Sequence, residues 1–163
     1  MFQITPMCGE DLVDVMAIER VSHLEPWSEA AFLAELDLPH SRVLVARMAG
    51  PSSQMHGLLP EIGTLAGYVC FWNVAGEAQI LNLAVHPRYR RRGVGRALLV
   101  HALKLAGEEG ARQAVLEVRR GNSAARRLYE SVGFKQWGER PGYYGVVKEA
   151  AILMGLQLEA PTV

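Results

Sequence analysis

The residues best suited to chemistry stand together in Arg90-Arg91-Arg92-Gly93-Val94-Gly95-Arg96, between a strand-like segment and a helix-like one. Two glycines allow close backbone approach, the first N–H groups of a helix lack partners within it, and the helix dipole adds partial positive charge. Such a loop suits a phosphate; the bland alternative is a solvated, arginine-rich helix start. A Walker loop requires Lys and then Ser or Thr after its last glycine, whereas Gly95 is followed by Arg96 and Ala97. The dinucleotide fingerprint requires a third glycine where Leu98 stands. What remains is Gln or Arg, any two residues, Gly, any residue, then Gly or Ala. The five histidines show no ligand spacing, and His86 before Pro87 reads as a turn residue, so no metal is expected.

The flanking elements follow from periodicity and punctuation. Phe2 to Thr5 is a short strand, broken by Pro6 and Gly9. Leu12, Val15, Met16 and Glu19 then recur at helical spacing, giving a helix over about Glu10 to Arg20. Ser28 is a plausible N-cap for a second helix, with Trp27 and Phe32 as a hydrophobic staple, and Pro39 ends it. Arg42 to Met48 and Leu65 to Asn73 suit two antiparallel strands joined by a long loop, Gly50 to Gly63. Ala78 to Val85 is the next strand, Gly93 to Ala106 a helix, and Ala114 to Val118 a nearly all-apolar strand that should pair parallel with Ala78 to Val85. Asn122 and Ser123 offer caps for a helix carrying Ala125, Leu128, Tyr129 and Val132, which Gly133 terminates. Phe134 to Gly138 and Ala150 to Leu158 are the last strands. One right-handed crossover and mostly antiparallel neighbours imply an α/β (α+β) domain with a mixed sheet flanked by helices.

Three blocks in order carry a family resemblance: Ile80-Leu81-Asn82-Leu83-Ala84-Val85-His86-Pro87 with the arginine-glycine loop, Leu116-Glu117-Val118-Arg119 with Asn122-Ser123-Ala124-Ala125, and Leu128-Tyr129-Glu130-Ser131-Val132-Gly133-Phe134. They resemble the GCN5-related N-acetyltransferases (GNAT), whose coenzyme A pyrophosphate loop has the pattern read above. The resemblance spans Phe2 to Leu158 and implies a seven-stranded sheet with a central splayed parallel pair, about four helices, and acetyl-CoA as cosubstrate. Pro26-Trp27-Ser28-Glu29, the Leu-Glu-Val-Arg block, Tyr129-Glu130-Ser131 and Tyr143-Tyr144 are similar to the branch that acetylates the N-terminal alanine of a small-subunit ribosomal protein. That protein N-terminus is the partner the resemblance implies.

Residue roles follow from the same likeness. Arg90, Arg91, Arg92, Gly93, Val94, Gly95 and Arg96 would hold the pyrophosphate. Leu83, Ala84 and Val85 would offer backbone groups to the pantetheine arm, with a Val85 N–H polarising the thioester oxygen; a plain core strand is the alternative. Asn122 matches a coenzyme-contacting position, and N-capping explains it equally well. Glu117, in an otherwise apolar strand, would be the general base with a pKa raised by burial, or an outward-facing residue paired with Arg119 or Arg112. Tyr129 would be the general acid, since a phenol near pKa 10 can protonate a thiolate whose conjugate acid lies near about 8.5; a core tyrosine is its alternative. Trp27, Tyr143 and Tyr144 would line the peptide channel near Arg140, or serve as a staple and an aromatic turn. Two departures touch the acceptor side: the Gly50 to Gly63 loop is longer than usual, and Glu149-Ala150-Ala151 stands where the family commonly has Glu-Asp-Ala.

Composition is consistent with a single domain spanning residues 1–163. The chain is 50% hydrophobic and 21% charged, and its 17 basic residues balance 17 acidic ones, so no net field draws nucleic acid or anionic membrane. No apolar run approaches the roughly 18 residues of a spanning helix, and the Met1 to Glu10 segment lacks signal-peptide character. Cys8 and Cys70 match neither a disulfide framework nor a zinc spacing, which favours a reducing, cytoplasmic setting, and both lie away from the expected cleft, so a direct ternary complex without an acyl-enzyme is expected. The rival functions are acetylation of lysine side chains or a small amine and, in another class, an RNA- or ribosome-binding module using Arg88 to Arg96.

Overall fold

In the chain's computed structural model, residues 1–49, 64–144 and 148–160 are described, together with all their side chains except that of Tyr144. The Gly50 to Gly63 loop and the loop after Tyr144 lie outside them. The centre of the sheet is a hairpin, β3 (Leu65–Val74) and β4 (Glu77–Val85), closed by Ala75 and Gly76 with φ of 51° and 81°. Two left-handed central residues give the turn whose twist matches that of the strands it joins. β2 (Ser41–Met48) pairs antiparallel with β3, and β1 (Phe2–Pro6) pairs antiparallel with β2 at the edge.

On the other side β4 meets β5 (Gln113–Arg119) in parallel, followed by β7 (Glu149–Gln157) and the edge strand β6 (Lys135–Tyr144). The seven-stranded order is β1-β2-β3-β4-β5-β7-β6, with β4 and β5 its parallel pair. That ladder covers only Glu77↔Gln113 to Ile80↔Leu116. Directly after Ile80, the register of β3 and β4 slips, leaving Leu81 as an extra residue between Ile80, opposite Phe71, and Asn82, opposite Cys70. Such a bulge bends and twists the strand that carries it. β4 therefore leaves β5 from Leu81 onward, while β5 stays paired with β7 through Arg119.

Four helices cover the two faces. α1 (Leu12–Ser22), preceded by a short turn at Gly9–Asp11, and α2 (Glu29–Asp37) lie on one, where Val15, Ile18, Phe32, Val45 and Tyr68 form a core. The Ser28 hydroxyl caps α2 by accepting from the Ala31 N–H at 3.1 Å, and the Trp27 and Phe32 rings meet at 5.2 Å, which is the staple expected of them. α3 (Val94–Glu108) and α4 (Ser123–Val132) lie on the other face over Phe71, Leu116, Phe134 and Ile152.

The element order agrees with the periodicity, and most boundaries shift by one or two residues. The larger difference is β6, which continues past Gly138 to Tyr144, so Tyr143 and Tyr144 end an edge strand instead of forming a turn. Pro141 and Gly142 lie within this strand, since an edge strand tolerates proline, and the β6–β7 register slips between Arg140 and Tyr144.

Candidate active site

The separation of β4 and β5 leaves backbone groups facing a gap. The His86 N–H donates to the Ala66 carbonyl at 2.8 Å, so by strand alternation the amides of Val85 and Leu83 turn the opposite way, toward β5, where no ladder meets them. α3 begins beside this edge. Arg91 and Gly93 are both left-handed, with φ of 62° and 81°, and Gly93 provides no capping side chain. The first intrahelical bond runs from the Ala97 N–H to the Gly93 carbonyl at 3.0 Å, so the amides of Val94, Gly95 and Arg96 have no acceptor within the helix. A Cβ on Gly95 would stand 3.3 Å from Leu128 and 3.4 Å from Val85, which is why the smallest residue lies between α4 and β4.

These elements line a groove of about 520 Å³, bordered by Leu83, Ala84, Val85, Arg90, Arg91, Gly93, Val94, Gly95, Arg96 and Asn122. The arginines are largely committed to the protein. Arg90 donates to the Val85 carbonyl at 3.0 Å and to the Ser22 hydroxyl at 3.2 Å, tying the loop to β4 and α1. Arg96 donates to the Ser131 carbonyl and hydroxyl at 3.2 and 3.0 Å, and Arg92 lies over the Tyr89 ring at 5.8 Å. The cradle is therefore made chiefly of amides that these side chains brace.

A second cavity of about 280 Å³ occupies the gap itself and includes Trp27, Leu81, Asn82, Glu117, Asn122 and Tyr129 in its walls. The two cavities have His23, Leu83, Asn122 and Ala125 in common, so they adjoin along these residues and are together called the channel. Asn122 caps α4, its Oδ1 accepting from the Ala125 N–H at 3.2 Å, and it also borders both cavities. Tyr129 is 7% exposed and packs edge-on against Phe134 at 5.9 Å, and it also lines the cavity wall.

Glu117 differs from its expected surroundings. Its side chain is 31% exposed and its Oε1 lies 3.3 Å from Arg140 Nη2, so it is an ion-paired residue at the cavity edge and not a buried one. The alternative partners are engaged elsewhere: Arg119 bridges Glu25 and Glu149, each at 3.6 Å, and Arg112 donates to the Ala111 carbonyl. Arg140 also lies over the exposed Tyr143 ring at 5.4 Å, which links the β6 edge to Glu117; Tyr143 itself does not border either cavity, and the Tyr144 side chain lies outside the described set. Glu149, retained where the second acidic residue of the family pattern is replaced by Ala150, accepts from the Gly121 N–H at 2.6 Å and holds the turn between β5 and α4.

Beneath the second cavity lies a polar cluster that periodicity concealed. Glu19 is completely buried. It accepts from the Tyr68 hydroxyl, from Asn82 Nδ2 at 3.0 Å and from the Trp27 N–H at 2.8 Å, and its Oε2 stands 3.6 Å from His23 Nε2. Burial first, and the Glu19 charge second, push the Tyr68 phenol far above its ordinary range, so it keeps its proton and donates. The available signal was a carboxylate at an apolar position of a helical repeat. Neither cysteine borders the channel: Cys8 is exposed, and burial, with the Glu35 charge second, pushes the Cys70 thiol up to about 12. Among the described residues no cluster of metal-ligating side chains occurs, and no helix is long and apolar enough to cross a membrane.

Comparison with known proteins gives a consistent picture. The family model described as Acetyltransferase (GNAT) family matches residues 12–134. The [ribosomal protein bS18]-alanine N-acetyltransferase of Escherichia coli K12 is 34% identical over 150 residues, covering 91% of this chain and 92% of that protein. The crystal structure of the ribosomal-protein-S18-alanine N-acetyltransferase from Escherichia coli superposes with a TM-score of 0.82 at 31% identity, over 100% of this chain and 99% of that one. Arabidopsis thaliana NAA60, solved in complex with acetyl-CoA, shares the fold with a TM-score of 0.82 at 19% identity, over 97% and 99% of the two chains.

Proposed function

Because this chain belongs to the acetyltransferase (GNAT) family, we propose that it moves the acetyl group of acetyl-CoA directly to the α-amino group of a protein N-terminus, the N-terminal alanine of a small-subunit ribosomal protein. The observation that carries this reading is the pair of adjoining cavities where β4 and β5 part, with unpaired helix amides beside one and Glu117 and Tyr129 in the wall of the other. The similarity to bS18-alanine acetyltransferases over nine-tenths of the chain supports the acceptor.

The chemistry suits such an acceptor. An α-amino group with a pKa of about 8 is roughly a tenth neutral at pH 7, whereas a lysine near about 10.4 is far below 1%. The α3 amides would hold the pyrophosphate, Leu83 and Val85 would bond the pantetheine arm, and the Val85 N–H would polarise the thioester carbonyl. Glu117 would take a proton from the attacking nitrogen as the C–N bond forms, and Tyr129 would protonate the departing sulfur. Trp27 would line the acceptor end, with Tyr143, Tyr144 and Arg140 on the outer rim. The RNA-binding alternative loses its footing because Arg90, Arg92 and Arg96 are engaged within the protein. A cytoplasmic location fits an acceptor on the ribosome.

The test is mass spectrometry of acetyl transfer to a peptide with a free N-terminal alanine and an internal lysine, beside the same peptide with a blocked N-terminus. Acetylation of the free α-amine alone is expected, with Glu117→Gln lowering kcat on the order of 100-fold. Modification of lysine in the blocked peptide would redirect the assignment to side-chain amines.

A further inference from the structure

The reaction proposed above releases one net proton that neither Glu117 nor Tyr129 retains, and a residue that accepts it would raise the neutral fraction of the bound amine. A protein N-terminus arrives mostly as an ammonium ion, and it leaves as a neutral amide, so its nitrogen gives up two protons. One is lost before attack, to expose the lone pair, and one as the C–N bond forms and the C–S bond breaks. The departing thiolate takes one proton from Tyr129, and proton exchange with Glu117 restores the phenol. One net proton must therefore reach solvent in every turnover. Glu117, as a single carboxylate, holds only one proton at a time.

Of the four residues common to both cavities, His23 alone has a side chain with a basic nitrogen that can accept a proton; Leu83, Asn122 and Ala125 do not. His23 follows the last turn of α1, where its N–H donates to the Glu19 carbonyl at 3.1 Å. Its Nε2 is buried with no hydrogen-bond partner within normal reach, and the nearest acceptor is the carboxylate of Glu19 at 3.6 Å. The side chain as a whole is 31% exposed, whereas that of Glu19 is 1% exposed. The ring thus stands between a buried negative charge and water, at the junction where an acceptor amine would meet the thioester.

We propose that His23 removes the first proton of the acceptor's ammonium group and passes it to solvent, and that Glu19 is the positioning residue that holds the imidazole at the channel junction. A carboxylate facing Nε2 favours the tautomer with its hydrogen on that nitrogen and leaves the other nitrogen to accept a proton. The same carboxylate steadies the imidazolium that results. Glu19 can do so because Tyr68, Asn82 and the Trp27 amide fix it from β3, β4 and the α1–α2 loop. On the acceptor side His23 shares its cavity with Glu25, Glu117, Arg119 and Tyr129, of which Glu117 and Arg119 are held in ion pairs with Arg140, Glu25 and Glu149. On the coenzyme side it shares the groove with Tyr89, Arg90, Arg91, Arg96 and Arg127, so arginines predominate on that flank and carboxylates on the other.

The inference rests on the N-terminal acetyltransferase reading, and the experiment separates the two. The full-length protein and its His23→Ala and His23→Gln variants are assayed with acetyl-CoA and the peptide bearing a free N-terminal alanine. Each assay is run alone, with added imidazole, and with added pyrazole, a ring of the same size that is a far weaker base. Both variants are expected to lose kcat at least tenfold with KM for acetyl-CoA within twofold. Imidazole, and not pyrazole, is expected to restore kcat to His23→Ala in proportion to its concentration, which filling a space would not do. Glu19→Gln, which keeps the side-chain shape but removes the charge, is expected to lower kcat while leaving coenzyme affinity within twofold. Unchanged kcat in both His23 variants, or a loss that the two rings rescue equally, overturns the proposal while Glu117→Gln and the wild-type activity still uphold the parent reading. Absence of any transfer by the wild-type protein overturns both.

Discussion

At the scale of single residues, the site reconciles readings that the sequence left opposed. Tyr129 is a core aromatic and a cavity residue together, because α4 packs one edge of its ring on Phe134 while the ring still reaches the β4–β5 gap. Tyr129→Phe should therefore leave the fold and acetyl-CoA affinity almost unchanged, the latter measured by calorimetry, and lower kcat by about 100-fold or more; undiminished turnover would remove the phenol from the reaction. Glu117 was legible as a carboxylate in an apolar strand, but its partner was not. Arg140 lies 23 positions away on β6, and only the intervening β7 brings β5 and β6 within one ion pair's reach. Removing that cation by Arg140→Gln should alter the KM for the peptide more than that for acetyl-CoA if Arg140 lies on the acceptor rim as proposed; steady-state kinetics with each substrate varied would detect a coenzyme-side effect instead.

At the scale of elements, two glycines are set by close packing. Gly95 sits between α4 and β4 with Leu128 and Val85 as near neighbours. In Gly95→Val the branched side chain has to displace one of them, and acetyl-CoA affinity should fall by roughly tenfold, about 1.4 kcal/mol; equal affinity in a binding titration would dissociate the groove from the coenzyme. Gly67 of β3 has a different task. A Cβ there would stand 2.6 Å from the Ala84 carbonyl oxygen, a backbone atom that cannot swing aside. Gly67→Ala should cost about 1–3 kcal/mol, a Tm fall of roughly 2–12 °C by thermal melting. The bulge at Leu81 belongs to this scale as well. The periodicity marked β4 correctly as a strand, but a one-residue slip against β3 depends on the partner's register and is invisible in β4 alone.

At the scale of the whole molecule, equal numbers of acidic and basic residues leave no net charge, so recognition must come from local arrangements. The best-defined local effect on stability lies far from the channel, where Asp11 before α1 is joined to Arg47 of β2. Burial by itself would raise the Asp11 carboxyl, but hydrogen bonds from the Cys8 N–H and from Arg47 outweigh it and hold the group below its ordinary value of 3.8. The unfolded chain therefore binds this proton more readily than the folded one. The stabilisation is complete above a pH of about 4 and is lost as the pH falls through the lower folded value. Asp11→Asn should reduce stability at pH 7 and flatten the loss of stability below about pH 4; parallel acid limbs in urea melts of the two proteins would contradict this.

Element types, their order and the cofactor loop were legible in the chain because they depend on neighbours in sequence: two-residue and 3.6-residue periodicities, a staple spanning Trp27 to Phe32, and glycines ahead of a helix. The anion cradle is proposed from glycines at a helix start, whereas Glu117 and Tyr129 as base and acid come from the family resemblance. What tertiary structure decided was every relation between distant segments. It opened β4 from β5 through a bulge set by β3, gave Glu117 to Arg140, extended the β6 edge through Pro141, and gathered Glu19, His23, Tyr68 and Asn82 under one cavity. A helical repeat records which face of α1 is inward, but a carboxylate on that face is stable only when three other elements bring it hydrogen-bond donors, and that condition is met in space and not along the chain.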